Sequence, residues 1–326
     1  MVRESSEMER MAENGTTNFS NPDDYRSAIG AASVVVTAGG DFNARLTWLN
    51  LSCLHAFRGF ENLPRIAFIK LSPDELSVSF PISERSSLTY AGIGLRIGDV
   101  VFHSRAERMH QRTNGKSQWG RISLPAQQLA FYSKALTGQE ITSPPAGRLL
   151  RPTRMAVTQL LTLFSRACRL AETKCELIAN PEIARALEQE LLHALINCLT
   201  ADDAGGNLKT RPSHADIMVR FEEALATHSD PHLNLPTLCS AIGVPERTLR
   251  VCCTEFLGMS PTRYHLLRRL NMARSALGSA DPTTASVAQI ARNHQFLEPG
   301  RFAVVYRTVF GEMPSSTLRR SRIKAA

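Results

Sequence analysis

The sequence predicts a multidomain α+β protein in which a β-rich N-terminal domain with flanking helices precedes an all-α C-terminal domain. Short β-branched runs fill residues 31–124, and the last third of the chain contains one helical pattern twice. The length of 326 residues suits about two domains, and 43% hydrophobic residues are enough for packed cores. We expect a disordered tail over 1–24, a regulatory or dimerisation domain over 25–200, a linker over 201–213 and the helical domain over 214–326.

Residues 1–24 are polar and carry no apolar core of the kind found in signal peptides. Apolar stretches elsewhere are interrupted well short of the roughly 18 residues that cross a bilayer. We therefore expect a cytoplasmic protein that does not engage a membrane.

The β-rich segment consists of short runs separated by polar, Gly or Pro residues, which is typical of a sandwich or a small barrel. The runs lie at 33–36, 65–71, 75–80, 99–102 and 120–124. The aromatic residues of this segment are more typical of a core than of ligand contacts, and we assign none of them to a ligand. They are Trp48, Phe57, Phe68, Phe80, Tyr90, Phe102 and Trp119.

Helices follow the strands. One is predicted over 127–136, with Gly138 as its C-cap, and another over 155–178. A third starts with Asn180 as N-cap and Pro181 at the first helical position. Its apolar residues recur every fourth position and must be buried, either on the adjacent barrel or in a dimer interface. They are Ile183, Leu187, Leu191, Leu195 and Leu199.

No pattern in the sequence points to catalysis, a cofactor or a metal. The seven cysteines include no CxxC pair, and the motifs GxSxG, HExxH and the P-loop are absent. His103 and His110, with Glu107 between them, are the nearest candidates for metal ligands, but their spacing is poor for one ion. We expect a protein that is not an enzyme.

The repeated pattern runs from 238 to 261 and again from 290 to 314, with an offset of 52 residues at the start and 53 at the end. Each copy predicts a short helix, a tight turn and a longer helix ended by Gly. This order is typical of helix-turn-helix units, whose second helix enters the major groove of DNA.

In the first copy, Gly243 allows the left-handed turn, and a helix over 246–256 follows. Its outer face carries Arg247, Arg250 and Thr254, the candidates for DNA contact. An arginine at this place can donate two hydrogen bonds to guanine.

In the second copy, Gly300 lies at the start of the longer helix, and its early outward residues are Arg301, Val304 and Val305. We expect Gly300, Arg301 and Val304 at the DNA, with the valines suited to a thymine methyl group or, alternatively, packed against the neighbouring copy. A helix over 262–277 joins the copies and carries four arginines. We expect Arg263, Arg268 and Arg269 to contact phosphates and leave Arg274 unassigned between phosphate and solvent.

The charge distribution agrees with a nucleic-acid partner. The chain has a net charge of +8, and residues 211–326 hold 15 Lys/Arg against 9 Asp/Glu. A basic segment that also carries two helix-turn-helix patterns favours double-stranded DNA.

These motifs resemble the DNA-binding domain of AraC/XylS-type transcription regulators over about residues 214–320. The resemblance rests on the segments 247–249, 258–264, 269–274, 290–291 and 302–315. Residues 300–307 are most similar to the ethanolamine-utilisation branch. The resemblance implies an N-terminal regulatory and dimerisation module, often a cupin-like barrel that binds a small effector.

Three positions depart from the family pattern: Pro245 replaces a Ser that would cap the helix, Cys253 replaces an aromatic residue, and Gln295 replaces Gly. Pro245 and Cys253 predict a first copy with no side-chain cap and a smaller core.

We expect a sequence-specific regulator, acting as a homodimer, with RNA polymerase and a small effector as candidate partners. The alternatives are a DNA-binding scaffold that senses nothing and, more distantly, a cupin-type metalloenzyme fused to a DNA-targeting domain.

Overall fold

The computed structural model describes residues 14–84, 87–200, 206–207, 212–227 and 235–324. The strands are β1 (Gly15–Phe19), β2 (Ala31–Val36), β3 (Ala44–Asn50), β4 (His55–Glu61), β5 (Arg65–Lys70), β6 (Glu75–Pro81), β7 (Leu88–Tyr90), β8 (Ile93–Leu95), β9 (Val100–Phe102), β10 (Arg108–Thr113), β11 (Ser117–Pro125), β12 (Arg148–Leu150) and β13 (Gly206–Asn207).

The helices of the N-terminal part are α1 (Pro22–Ala28), α2 (Ala126–Thr137), α3 (Arg154–Thr173), α4 (Cys175–Ile178) and α5 (Pro181–Thr200). Those of the C-terminal part are α6 (Pro212–Thr227), α7 (Leu235–Ile242), α8 (Glu246–Leu257), α9 (Pro261–Ser279), α10 (Val287–Asn293), α11 (Pro299–Phe310) and α12 (Pro314–Lys324). The predicted fold class is confirmed.

The strands form two antiparallel sheets, ordered β1-β3-β4-β11-β6-β9-β12-β13 and β2-β5-β10-β7-β8. One apolar core, which includes Leu46, Trp119 and Ile69, lies between the sheets. The outer face of the larger sheet packs against α2, α3 and α5. The outer face of the smaller sheet contributes Val35, Ile66 and Ala91 to the core of the helical domain. The molecule therefore has four layers: helices, large sheet, small sheet and helical domain.

The local helix signals agree with the observed ends. Gly138 caps α2 with a φ of 77°, and the Asn180 side chain accepts hydrogen bonds from the N–H groups of Glu182 and Ile183 at the start of α5. The helix predicted over 155–178 is instead two helices, α3 and α4, which meet at Lys174.

The apolar stripe of α5 packs inside this chain. Leu191 and Leu195 are fully buried in the core formed with α3 and the large sheet, whereas Ile183 is 37% exposed. This is the first of the two interpretations of the stripe, and a dimer interface stays a prediction. No helix in the described part of the chain is long and apolar enough to span a membrane.

The disordered tail predicted over 1–24 is wrong for residues 15–24, while residues 1–13 lie outside the described residues. Strand β1 pairs with β3 along its length, and the Tyr25 hydroxyl donates a 2.6 Å hydrogen bond to the buried Glu61 carboxylate. A short polar edge strand looks like a loop in sequence because it carries no apolar alternation. Within the predicted linker, β13 pairs with β12 and α6 already begins at Pro212, while 201–205 and 208–211 lie outside the described residues.

Candidate nucleic-acid interface

Helices α7 and α8 form the first unit, and helices α10 and α11 form the second unit. Each unit has the same turn. In the first unit Gly243 has a φ of 73°, and the N–H of Val244 donates to the carbonyl oxygen of Cys239 at 3.1 Å. In the second unit Gln295 has a φ of 66°, and the N–H of Phe296 donates to the carbonyl oxygen of Ala291 at 2.9 Å. The two turns therefore correspond residue by residue at an offset of 52.

An arginine from another helix holds each turn. Arg220 of α6 donates to the carbonyl oxygen of Ile242 at 2.6 Å. Arg269 of α9 donates to the corresponding carbonyl oxygen, that of His294, at 3.1 Å and also to that of Gln295. The guanidinium of Arg269 lies over the Phe296 ring, 4.4 Å from its centroid. Sequence reasoning missed Arg220, because only its partner in space reveals its role.

Helices α8 and α11 occupy the position of the recognition helix in a helix-turn-helix unit. In α8, Leu249, Cys252 and Phe256 are buried, and the opposite face exposes Arg247, Arg250 and Thr254. The predicted site residues of the first unit therefore lie together on one surface. Arg250 is paired with Glu246 one turn earlier, with its Nε 2.7 Å from the carboxylate, and the Thr254 hydroxyl donates to the Arg250 carbonyl oxygen.

In α11, Phe302 and Tyr306 are buried, whereas Gly300, Arg301 and Val304 lie on the exposed face as predicted. Arg301 has no carboxylate partner among the described residues. Val305, which we expected to face outward with them, is partly buried in the core of the helical domain. The second recognition helix thus offers a cationic face without an acidic residue inside the helix.

Neither recognition helix has a side-chain cap at its N-terminal end. Pro245 precedes α8 with no side-chain hydrogen bond to the helix, and Glu298 precedes α11 in the same way. Cys253 is fully buried, and burial raises the pKa of its thiol. It therefore acts as a small apolar core residue.

The arginines of α9 have different surroundings in the structure. Arg263 is exposed, but Arg268 forms an ion pair with Glu222 and Arg269 holds the second turn. Arg274 pairs with Glu312 at 3.2 Å and lies over the Phe310 ring. The guanidinium groups of Arg268 and Arg269 are thus engaged within the protein, and contact of either residue with phosphate stays a prediction.

The helical domain is docked on the smaller sheet through a buried set of polar residues, here called the Glu222 cluster: Glu222, His110, Tyr264 and Arg268. One Glu222 oxygen accepts from His110 Nε2 at 2.9 Å and from the Tyr264 hydroxyl at 2.5 Å, while the other pairs with Arg268. Burial alone would raise the pKa of Glu222, but the hydrogen bond from His110 and the charge of Arg268 hold it below its usual value. His110 belongs to β10 of the sandwich, so the cluster joins the two domains.

The side chain of Asn271 adds a second link between the domains. Its amide donates to the carbonyl oxygen of Val36 and accepts from the N–H of Val36, both at 3.0 Å. Since β2 is an edge strand, Asn271 satisfies backbone groups that a neighbouring strand would otherwise occupy.

The two histidines considered as metal ligands lie in separate networks. His103 contacts Glu107 and Ser79, whereas His110 contacts Glu222. In the part of the chain that the structure describes, no group of three or more His, Cys, Asp or Glu side chains is placed to hold a metal ion.

Comparisons with known proteins agree with this geometry. Residues 238–320 match the family model of a helix-turn-helix domain. The chain is 28% identical over 186 residues to the probable thc operon regulatory protein of Rhodococcus erythropolis, covering 57% of this chain and 56% of that protein. It is 32% identical over 116 residues to the XylDLEGF operon transcriptional activator 1 of Pseudomonas putida, covering 36% and 34%.

The chain thus spans about half the length of the first relative and about a third of the second. Among solved structures, the AraC-like transcriptional activator CuxR is 16% identical with a TM-score of 0.41, over 81% of this chain and 96% of that chain. The expected similarity to the ethanolamine-utilisation branch stays a prediction.

Proposed function

We propose that this chain is a sequence-specific DNA-binding transcription regulator of the AraC/XylS type, controlled by its N-terminal sandwich. Its residues 238–320 match the family model of a helix-turn-helix domain. The observation that carries the proposal is the pair of corresponding recognition helices, each of which exposes arginine near its N-terminal end. Base contacts by such residues provide specificity, and phosphate contacts provide affinity.

The spacing of the two units suits one face of a duplex. Helix α9 has 19 residues, which at about 1.5 Å per residue gives roughly 28 Å. With the turns at its ends, it can separate two recognition helices by about 34 Å, one turn of DNA.

A structural change in the sandwich can reach the helical domain through the Glu222 cluster. A change in the position of β10 moves His110, and His110 shares its carboxylate partner with two residues of α9. Helix α9 carries the second unit and also Arg269, which holds the second turn. An effector bound to the sandwich, a second copy of the chain and RNA polymerase are the candidate partners of this regulator.

One observation favours a second candidate, a DNA-binding scaffold whose sandwich senses no effector. The space between the sheets contains, beside the apolar core, a buried network in which Glu61 accepts from Arg65 at 2.6 Å and from Trp119 at 2.9 Å. The Tyr25 hydroxyl also donates to this carboxylate. A core occupied in this way leaves an effector less room than an open barrel does.

The test of DNA binding uses the full chain with DNA from around its own gene and with scrambled DNA, over a salt series. Selective binding with a steep salt dependence is expected. Arg301→Ala should weaken the selective complex, while Arg96→Ala, a matched exposed arginine on the sandwich, should not. Equal affinity for both DNAs under all conditions would contradict the proposal.

The sensing part is tested separately by thermal unfolding with candidate metabolites. A ligand that binds the folded sandwich raises the unfolding temperature in proportion to its concentration above Kd. If no metabolite stabilises the chain while DNA binding is intact, the scaffold is favoured.

A further inference from the structure

In both recognition helices the most exposed apolar side chain is a valine. Val251 of α8 is 49% exposed, and Val304 of α11 is 67% exposed. Both lie in the middle of the outward face that also carries the arginines. Neither side chain therefore contributes much to the core of its unit.

The two valines occupy the same place in their units. Each follows a buried core residue, Leu249 or Phe302, by two positions. Each also precedes by seven positions the glycine that caps its helix, Gly258 with a φ of 71° or Gly311 with a φ of 74°. The correspondence of the turns therefore extends through the recognition helices.

An exposed valine in a helix needs an explanation. β-Branched residues form helices less readily than alanine, lysine or glutamate, and an exposed one gains nothing from burial in the free protein. Its side chain is also rigid, so it loses little freedom when another apolar group packs against it. A valine at one such position is ordinary, but the same choice at corresponding positions of two divergent units points to a shared contact.

We propose that Val251 and Val304 each pack against the 5-methyl group of a thymine in the major groove. This inference rests on the proposed function. The major groove presents one apolar group, the thymine methyl, and the neighbouring arginines bring each helix to the phosphate-lined groove. The two half-sites of the operator therefore share a thymine at the corresponding position.

The arginines around the valines do not correspond. Arg247 and Arg250 lie four and one positions before Val251, whereas Arg301 lies three positions before Val304. The two half-sites therefore share their thymine but differ in the positions of the guanines that arginine contacts. The two half-sites of the operator are therefore related in sequence but not identical.

The test uses the full chain and an operator fragment located by selective binding. Each thymine is replaced in turn by deoxyuridine, which removes the methyl group and keeps base pairing. Two positions, about one helical turn apart, should each lose about fourfold in affinity. This is the effect of one buried methyl-sized group of about 0.8 kcal/mol at an RT of about 0.59 kcal/mol.

Valine variants assign each position to a unit. In Val304→Ala the deoxyuridine penalty should vanish at one position and persist at the other, and in Val251→Ala the pattern should reverse. Ile97→Ala, a truncation of an exposed aliphatic residue on the sandwich, should retain both penalties. Because both valines are exposed, the unfolding temperature should stay close to that of the original chain and serves as the folding check.

If binding is selective but no deoxyuridine substitution lowers the affinity, the thymine contact is overturned and the proposed function stands. Penalties that persist in both valine variants would do the same, since another residue would then contact the methyl group. A full chain with no selectivity at all would overturn the proposed function, and the inference with it.

Discussion

The first and second units share a fold but differ in their surroundings. The first unit lies against the sandwich: the Phe256 ring is 6.4 Å from that of His110, and the guanidinium of Arg112 packs on Gly258. Its recognition helix begins with Glu246, which pairs with Arg250. The second recognition helix carries Arg301 and Arg307 and no acidic residue. The second recognition helix also meets the sandwich, because Phe310 at its C-terminal end lies against Gly39. The clearer difference between the units is therefore the charge of the exposed face, which is more cationic in the second.

The largest expected effect comes from breaking the contact between the sandwich and the helical domain. Glu222→Ala leaves His110 and the partly buried Arg268 without their shared partner, and should lower the free energy of unfolding by about 3–5 kcal/mol. Denaturant unfolding measures it. The neighbouring Glu223 is half exposed and pairs with an exposed arginine, so Glu223→Ala should cost at most about 1 kcal/mol. Equal losses in the two variants would contradict this role of Glu222.

The Glu222 cluster also predicts that the free energy of unfolding decreases at acid pH. The pKa of Glu222 is lower in the folded than in the unfolded chain. Its contribution to the stability of the fold is therefore fully present above the unfolded-state pKa and is lost as the pH falls through the folded-state pKa. The window begins near the ordinary glutamate value of 4.5 and extends downwards. Glu222→Gln should flatten the fall in stability over that window, while Glu223→Gln should leave its slope unchanged.

The next effect compares the arginines that hold the two turns. Arg269→Ala removes charged hydrogen bonds to His294 and Gln295 and the contact with the Phe296 ring, and should cost about 2–3 kcal/mol of stability. Arg220→Ala removes the corresponding contact of the first unit and should cost about 1–3 kcal/mol. If Arg269 instead contacts phosphate, its removal would lower the salt dependence of DNA binding and leave the unfolding free energy unchanged.

A smaller effect separates the DNA contacts of the two recognition helices. Arg301→Ala should weaken binding to the specific site by about 1–3 kcal/mol. Arg250→Ala should cost less, because Arg250 must first leave its ion pair with Glu246. Glu246→Ala should therefore strengthen binding modestly, by removing both the competing carboxylate and its repulsion of phosphate. Titration of labelled operator DNA measures all three, and a larger loss for Arg250→Ala than for Arg301→Ala would reverse the comparison.

The smallest effect concerns the turns themselves. Gln295 has a positive φ that glycine adopts without strain, so Gln295→Gly should stabilise the chain by about 1 kcal/mol. The reverse change in the first unit, Gly243→Ala, should destabilise it by about 1–2 kcal/mol. Thermal unfolding of the two variants gives both signs, and a loss of stability in Gln295→Gly would show that its side chain outweighs the backbone strain.

Features set by neighbouring residues were predicted well. Gly243, Gly258 and the pair Asn180–Pro181 mark helix ends through backbone conformation and caps, which need only a few residues of context. The correct placement of Arg247, Arg301 and Val304 on exposed faces follows from helical periodicity for the same reason.

Features set by distant partners were not predictable. Arg268 and Arg269 look like surface cations in the sequence, because their partners are Glu222, 46 residues away, and backbone oxygens of another helix. Strand β1 was missed because its stability comes from pairing with β3 rather than from its own composition. The docking of the helical domain on β10 involves residues more than 100 positions apart, and no local pattern indicates it.

The Glu222 cluster also limits how far the two domains can be treated as interchangeable modules. A chain divided before α6 would expose Val35, Ile66 and Ala91 on the sheet and separate Glu222 from His110. A chimera that joins another sensory domain to this helical domain therefore needs a sheet that brings a hydrogen-bond donor to Glu222 and an open strand edge to Asn271. Moving the helical domain to another protein therefore requires moving the face of the smaller sheet against which it packs.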